Sequence, residues 1–346
     1  MVEIGSEFST NSAIYGQNEY FELSNYSKRY VLSGRTGLHL IAEEVKEKVS
    51  TIALPDYCCG SMIAPFIKQG FHISFYKAFD LYNVMLDREV QAVLVMDYFG
   101  FLSNETLDFV LRCKKEKKVV IVDATQTAFS YSKTYDLADY IVVSYRKWLD
   151  SLCAVVYSKN GFHISENSIE HSSYRETWRT AASLKDNYLK GLFDNKQEFL
   201  MLFTSANHEL DFDYVGYKAN DSEITMMHMA DSLFIRKTRR ENANYLIDKI
   251  KKLSEIFEVQ LIFDDMGMED CPLFVPILVN EKKRSVIRNE LIKNNIYCPI
   301  HWPIDQRYPY HVTLYHQKEL SLICDQRYGL EEMRRQILIL SQALKN

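Results

Sequence analysis

Short runs of apolar, mostly β-branched residues recur between segments with helical spacing in the first half of this chain. The clearest runs lie at 51–55, 92–96, 119–122 and 140–143. Apolar runs of four to six residues are typical of strands that are buried on both faces of a parallel sheet. Because these runs alternate with helical segments, the pattern predicts a doubly wound α/β domain, in which helices sandwich a mainly parallel sheet.

The second half has a different pattern and predicts a smaller α+β domain. Its elements are a long helix over 224–253, strands over 257–263 and 273–279, and helices over 284–294 and 330–344. A length of 346 residues is enough for one large and one small domain. We therefore predict a large domain at 1–215 and a small domain at 216–346.

Composition excludes several classes of protein. Apolar residues make up 47% and charged residues 25%, and the net charge of -5 argues against a nucleic-acid partner. The first ten residues lack the apolar centre of a signal peptide, and without a run of 18 apolar residues we expect no membrane span. The seven cysteines lack paired CxxC spacing, and Cys298 with His301 is only half of a zinc ligand set. We expect no metal site and a reducing, cytoplasmic compartment.

Two of the strand-like runs lead directly into reactive side chains. Residues 119–122 precede Asp123, and residues 140–143 precede the segment Ser144-Tyr145-Arg146-Lys147. Ligands of open α/β sheets bind at the carboxyl ends of the strands, so Asp123 and Lys147 are expected to face one site. A lysine amine that bonds an aldehyde and an aspartate that keeps a pyridine nitrogen protonated suit pyridoxal 5'-phosphate (PLP). A lysine facing water and an aspartate that only caps a turn are the structural alternatives.

A glycine-containing segment before the first long helical pattern is a candidate phosphate site. Free backbone amides at a helix N-terminus bind anions, so Gly34, Arg35 and Thr36 are expected to hold the cofactor phosphate together with Ser144. Arg35 either adds charge to this site or points to solvent. Residues 144–147 also read SxxK, as in serine β-lactamases, but the companion S-D-N and K-T-G motifs are missing and the motif ends a strand.

The segments SGRTGL at 33–38, DATQ at 123–126 and VSYRKWL at 143–149 resemble motifs of the DegT/DnrJ/StrS-type sugar aminotransferases of fold type I. Weaker similarities are LPDY at 54–57, which resembles a P-S-F/Y-T turn, and DYFG at 97–100, where members show H-x-Y/F-G. The resemblance extends over about 33–337 and implies the fold type I architecture, PLP as cofactor and a homodimer with active sites at the subunit interface.

The resemblance also implies residue roles. It implies Lys147 as the lysine that bonds PLP, Asp123 on the pyridine nitrogen, Gln126 near the ring, and Tyr57 or Cys59 at the ring-stacking position. The implied reaction moves an amino group from an amino acid, usually glutamate, to a nucleotide-linked keto-sugar, as in surface polysaccharide biosynthesis. His301 and Trp302 either line the sugar pocket or belong to a turn that packs on the core.

Three departures from the family pattern motivate an alternative function. Asp97 stands where members have His, residues 150–154 replace a Gly-Gly stretch, and residues 217–220 do not reproduce a G-Y-N segment. The alternative is a protein that kept the fold for a binding or regulatory role, or for another substrate.

Overall fold

The structure is a computed structural model that describes residues 2–10, 15–16, 23–308 and 312–345. The strands are β1 (Ile4–Gly5), β2 (Ser27–Val31), β3 (Thr51–Pro55), β4 (His72–Tyr76), β5 (Ala92–Val95), β6 (Val119–Asp123), β7 (Tyr140–Ser144), β8 (Ala154–Ser158), β9 (Ile169–Glu170), β10 (Tyr217–Lys218), β11 (Val259–Leu261), β12 (Phe274–Val279), β13 (Ile296–Tyr297) and β14 (Glu319–Ile323). The helices are α1 (Gly34–Val45), α2 (Gly60–Lys68), α3 (Asn104–Lys115), α4 (Ser172–Leu189), α5 (Lys196–Phe212), α6 (Asp221–His228), α7 (Ser232–Ser254), α8 (Glu281–Lys293), α9 (Leu314–Lys318) and α10 (Leu330–Lys345).

A nine-stranded sheet in the order β4-β3-β5-β6-β7-β8-β2-β10-β9 organises the fold. Its first five strands are parallel, whereas β8 and β2 run antiparallel to their neighbours. In the β6–β7 pair, Asp123 lies opposite Val142. Because β6 and β7 are adjacent and parallel, they end at the same edge of the sheet and deliver the residues that follow them to one place.

Both faces of this sheet are covered, as the continuous apolar runs predicted. Side chains alternate between the two faces of a sheet along each strand. On one face, Ile121 and Val142 pack in the core under α1 and α2. On the other face, Val120 and Ile141 pack in a separate core that includes Phe109 of α3. The predicted mainly parallel α/β sheet sandwiched by helices is therefore confirmed.

The C-terminal part contains a three-stranded antiparallel sheet in the order β11-β12-β14, packed with α7, α8 and α10. The predicted boundary after residue 215 stays a prediction, and β10 beyond it still pairs with β2 and β9 of the large sheet. No helix in the described part of the chain has the length and apolar character needed to span a membrane.

The single long helix predicted over 224–253 is wrong, because the structure has two helices with a break between them. The chain leaves α6 at Met229, and Asp231 begins a new helix by accepting a hydrogen bond from Phe234 N at 2.8 Å. Asp is a strong N-cap residue, and here its capping bond interrupts a region whose apolar spacing fits one continuous helix.

Candidate active site

A cavity of about 380 Å³ opens at the carboxyl ends of β6 and β7. Its wall brings together side chains from both halves of the chain. Of the predicted site residues, it contains Gly34, Arg35, Cys59, Asp123, Gln126, Ser144, Lys147, His301 and Trp302. The convergence that the strand pattern predicted is therefore present in the structure.

Asp123 is the last residue of β6 and is 6% exposed. Its Oδ1 accepts a hydrogen bond from Thr125 N at 2.9 Å, which fixes the carboxylate at the start of the loop. Burial raises the pKa of Asp123, and the bonds from Thr125 oppose that rise. A carboxylate in this setting gains from a cationic partner, such as a protonated ring nitrogen.

Lys147 follows β7 through one turn of 3-10 helix and projects into the cavity, where solvent reaches its side chain. Desolvation by the surrounding protein lowers the pKa of Lys147, and the charge of Arg146 lowers it further. A lowered pKa increases the fraction of neutral amine, which is the nucleophilic form.

The residue after this lysine anchors the turn. The Trp148 ring is fully buried, and its Nε1 donates to Thr125 O at 2.7 Å. Trp148 O accepts from Gln326 Nε2 at 2.7 Å, and the Arg239 guanidinium lies 4.5 Å from the indole centre. These contacts tie the Lys147 turn to the loop after Asp123 and to the C-terminal part of the chain.

The N-terminus of α1 lies against the end of β7. A Cβ on Gly34 would be 3.2 Å from Ser144 Cβ, so these two residues are in close contact. Farther along α1, a Cβ on Gly37 would be 2.7 Å from a Val142 methyl group, which explains how the helix approaches the sheet so closely. Ser33 caps the helix by accepting from Thr36 N at 3.1 Å. We call this contact between the first turn of α1 and Ser144 the anion cradle, because backbone amides at a helix N-terminus favour an anion.

Arg35 lines the cavity but already has an anionic partner. Its Nη2 lies 2.7 Å from Asp211 Oδ1, and its Nη1 donates to Leu210 O at 2.7 Å. Both partners belong to the last turn of α5. Of the two predicted positions, the structure favours the cavity over open solvent, with the charge largely offset by Asp211.

Two further predicted residues are held beside the cavity by hydrogen bonds. Gln126 Oε1 accepts from Phe99 N at 2.6 Å, which leaves the amide nitrogen to other partners. Cys59 Sγ lies 2.8 Å from Ser61 Oγ at the start of α2. Burial raises the pKa of Cys59, and the nearby Asp123 carboxylate adds to the rise, so Cys59 is a neutral, compact side chain in this wall.

Tyr57 and Thr36 have structural contacts outside the cavity wall. Tyr57 is fully buried in an aromatic cluster, its ring lies 5.0 Å from Trp302, and its hydroxyl donates to His301 O. The Thr36 hydroxyl lies 2.9 Å from Ser33 Oγ, inside the cap of α1. Tyr57 therefore supports the wall from behind Trp302, and the small Cys59 occupies the wall position that the sequence offered as its alternative.

His301 and Trp302 form the wall contributed by the second half of the chain. His301 N donates to Glu319 Oε2 at 2.6 Å, and His301 Nδ1 lies 2.9 Å from Ser321 Oγ. The His301 ring also packs edge-on against Phe99 at 5.3 Å. The segment thus packs on the core and also lines the cavity, while contact of these two residues with a sugar stays a prediction.

Six polar residues of the cavity wall were not predicted as site residues: Ser33, Ser61, Thr125, Arg146, Asn207 and Asp211. Thr125 Oγ1 accepts from Ser144 N at 3.2 Å and so joins the two strand ends directly. Thr125 and Arg146 stand inside motifs that had been identified, so their positions were available signals. Asn207 and Asp211 lie on α5, and its sequence carries no motif.

The departures from the family pattern lie outside the cavity. Asp97 is 5% exposed and accepts from Ser103 N at 3.1 Å, which holds the loop that leads to α3. Burial raises its pKa to about 7. Where members of the family have a Gly-Gly stretch, Asp150 forms an ion pair with Arg179, and Leu152 N donates a hydrogen bond to Glu223. These two departures therefore act on loop structure.

The chain has the fold of a group of aminotransferases whose structures are solved. It is similar to Helicobacter pylori PseC, an aminotransferase involved in the biosynthesis of pseudoaminic acid, with TM-score 0.64 and 14% identity over 92% of this chain and 86% of PseC. It is similar to NtdA of Bacillus subtilis with bound cofactor PMP, with TM-score 0.61 and 13% identity over 92% of this chain and 73% of NtdA. It is also similar to DesI in the presence of its TDP-sugar product, with TM-score 0.61 and 12% identity over 92% of this chain and 81% of DesI. No protein-family model and no curated protein sequence matches the chain. At sequence identities this low, the similarity to these structures establishes the fold alone.

Proposed function

We propose that this chain is a PLP-dependent aminotransferase that moves an amino group from an amino acid to a nucleotide-linked keto-sugar. One observation carries the proposal. A single cavity at the strand ends collects a buried carboxylate (Asp123), a lysine with a lowered pKa (Lys147) and an anion cradle between Gly34 and Ser144. The three groups match the pyridine nitrogen, the aldehyde and the phosphate of PLP.

The donor set fits this cofactor in its charges as well as its positions. Asp123 is buried with one oxygen bonded to Thr125 N, and it is the anion that a protonated ring nitrogen requires. The cradle has backbone amides and a serine hydroxyl, which suit a phosphate. The contact between Gly34 and Ser144 has no space for a larger side chain at residue 34 without displacement of its neighbour.

Each of these residues then has a defined task. When bound, PLP supplies an electron sink for the substrate carbon that loses a proton. Lys147 would hold the cofactor through its amine, and its free amine would serve as general base and general acid for the proton of the substrate carbon. Asp123 would hold the ring nitrogen in its protonated form, and Gln126 and Cys59 would contact the cofactor from the cavity wall.

The substrate assignment rests on the similar structures and on the second-half wall. DesI was solved with its TDP-sugar product, and PseC acts in the biosynthesis of pseudoaminic acid. We propose that His301 and Trp302 contact the sugar and that glutamate is the amino donor. We also propose a homodimer with sites at the interface, a role in surface polysaccharide biosynthesis and a cytoplasmic location, which agrees with the seven free cysteines.

Borohydride reduction of the protein incubated with PLP tests the proposal directly. We expect an absorbance band of bound cofactor, and mass spectrometry should find the reduced label on Lys147. Lys147→Ala should take up no stable label, whereas the exposed Lys77→Ala should label normally and controls for nonspecific modification. Labelling spread over surface lysines, or none, would contradict the proposal.

Half-reaction spectra separate catalysis from binding alone. We expect glutamate to convert the bound cofactor to its amine form, and a nucleotide-linked keto-sugar to return it to the aldehyde form. A cofactor that stays in the aldehyde form with every amino donor would instead support the binding or regulatory alternative.

A further inference from the structure

Two arginines line the cavity, but only one of them has an anionic partner. Arg35 is paired with Asp211 at 2.7 Å. For Arg146, no carboxylate of the described residues lies within ion-pair distance, and Glu7 and Asp211 act on it only at longer range. Since a guanidinium stays charged at every physiological pH, Arg146 is a permanent positive charge of this wall that no carboxylate of the described residues contacts directly.

The surroundings of Arg146 hold it in place with neutral groups. Its Nη1 donates to Asn207 Oδ1 at 2.8 Å and lies 3.3 Å from the Tyr174 hydroxyl. Its guanidinium carbon is 5.0 Å from the centre of the Trp178 ring. Among the described residues, Nε and Nη2 make no hydrogen bond, so two donors remain for a ligand. A partly buried cation without a counterion favours binding of an anion from solution.

The position of Arg146 separates it from the phosphate cradle. The cradle lies between the first turn of α1 and Ser144, whereas the Arg146 side chain extends toward α4 and α5, where Tyr174, Trp178 and Asn207 are located. Arg146 and Lys147 both line the cavity, and the charge of Arg146 lowers the pKa of Lys147, so the guanidinium and the reactive amine are close enough to interact. An amino acid carries its α-carboxylate one carbon away from its amino group, so it presents an anion beside the group that reacts and suits this pair of cations.

We propose that Arg146, oriented by Asn207, is a second anion-binding site of the cavity, which takes the α-carboxylate of the amino donor. Nε and Nη2 bind the two carboxylate oxygens side by side, as arginine does with planar anions. The identity of this anion rests on the proposed transaminase function.

Calorimetric titration with glutarate, an amino-free analogue of glutamate, tests the site without turnover. The charge-neutral Arg146→Gln should bind glutarate about 10- to 100-fold more weakly than the unmodified protein, the range expected for loss of a hydrogen bond to a charged group. Asn207→Asp places a carboxylate against the guanidinium and should have a similar effect. Arg88→Gln removes the same charge from an exposed position and should bind glutarate normally. Circular dichroism and thermal melts verify that all variants fold.

The affinity for PLP shows whether Arg146 binds the carboxylate of the amino donor or the phosphate of the cofactor. PLP titration into the apoprotein should give the same affinity for Arg146→Gln as for the unmodified protein. If Arg146→Gln loses PLP affinity and keeps glutarate binding, the guanidinium holds the cofactor phosphate and the proposal is wrong. Equal glutarate binding by all variants, or none by the unmodified protein, would also overturn it. If PLP does not bind at all, the proposed function fails, while glutarate titration of the apoprotein still tests the anion site.

Discussion

Replacement of Arg179 by Met should destabilise the protein strongly, because this guanidinium neutralises two buried carboxylates. Arg179 Nη1 lies 2.7 Å from Asp150 Oδ1, and its Nε donates to Glu223 Oε1 at 2.9 Å. Asp150 and Glu223 are 4% and 1% exposed. Glu223 Oε2 also accepts from Leu152 N at 2.8 Å, so the network fixes the segment that leaves the Lys147 turn.

The magnitude follows from what the substitution leaves behind. Breaking a buried ion pair by removal of one partner costs about 3–5 kcal/mol, since the other charge stays buried without compensation. With an unfolding entropy of about 2.1 cal/mol/K per residue, each kcal/mol lowers the melting temperature of a chain of 346 residues by about 1.4 °C, so Arg179→Met should lower it by roughly 4–7 °C. The double variant Arg179→Met with Glu223→Gln should recover part of this loss, because one of the two stranded charges is removed.

Urea unfolding followed by circular dichroism measures the free energy of unfolding, and differential scanning calorimetry measures the melting temperature. Arg175→Met is the matched control, one turn earlier on α4, where Arg175 Nε is 3.8 Å from Glu223 and the side chain is 35% exposed. It should cost less than about 1 kcal/mol, because the contact is long and solvent screens the partly exposed Arg175 guanidinium. Equal losses in both variants, or a loss below 1 kcal/mol in Arg179→Met, would refute this reasoning.

Three further outcomes are expected. Asp123→Asn should weaken PLP binding by about 10- to 100-fold in an absorbance titration, because the ring nitrogen loses a charged partner; unchanged affinity would show that Asp123 does not contact the ring. Ser33→Ala should lower the free energy of unfolding by about 0.5–2 kcal/mol in urea, while Ser33→Thr keeps the cap and should differ little; a matching loss in both would argue against capping. Burial raises the pKa of Asp97 to about 7, so the folded protein keeps this carboxyl protonated at pH values where the unfolded chain has lost the proton. The contribution of Asp97 to the free energy of unfolding is therefore full below about pH 4 and falls as the pH rises to 7, by up to about 1.4 kcal/mol per pH unit. Asp97→Asn should flatten this part of the stability profile, and an unchanged slope would contradict the assignment.

The strand elements were predictable because their signal is local. Uninterrupted β-branched runs bounded by polar residues define β6 and β7, and both were predicted within a residue of their observed ends. Since adjacent parallel strands end at the same edge, the meeting of Asp123 and Lys147 followed from these runs. The break at Asp231 was missed because a capping hydrogen bond has no signature in apolar periodicity.

The roles of individual side chains depended on packing partners far away in the chain. Tyr57 has the residue type and the position for ring stacking, yet it is buried behind Trp302, which lies about 245 positions later. The difference between Arg35 and Arg146 is likewise invisible locally, because it is decided by which of them reaches Asp211 on α5.

By itself, the sequence determined the parallel sheet, the edge of the sheet at which the cavity opens and the meeting of Asp123 and Lys147 in its wall. These properties follow from backbone hydrogen bonding and side-chain alternation, which act over a few residues. Only the tertiary structure decided which cations of the cavity have an anionic partner, which aromatic ring lines the cavity and how the C-terminal half contributes to its wall. Charge compensation and burial depend on distances between atoms, and chain order alone does not fix distances between segments that meet only after folding.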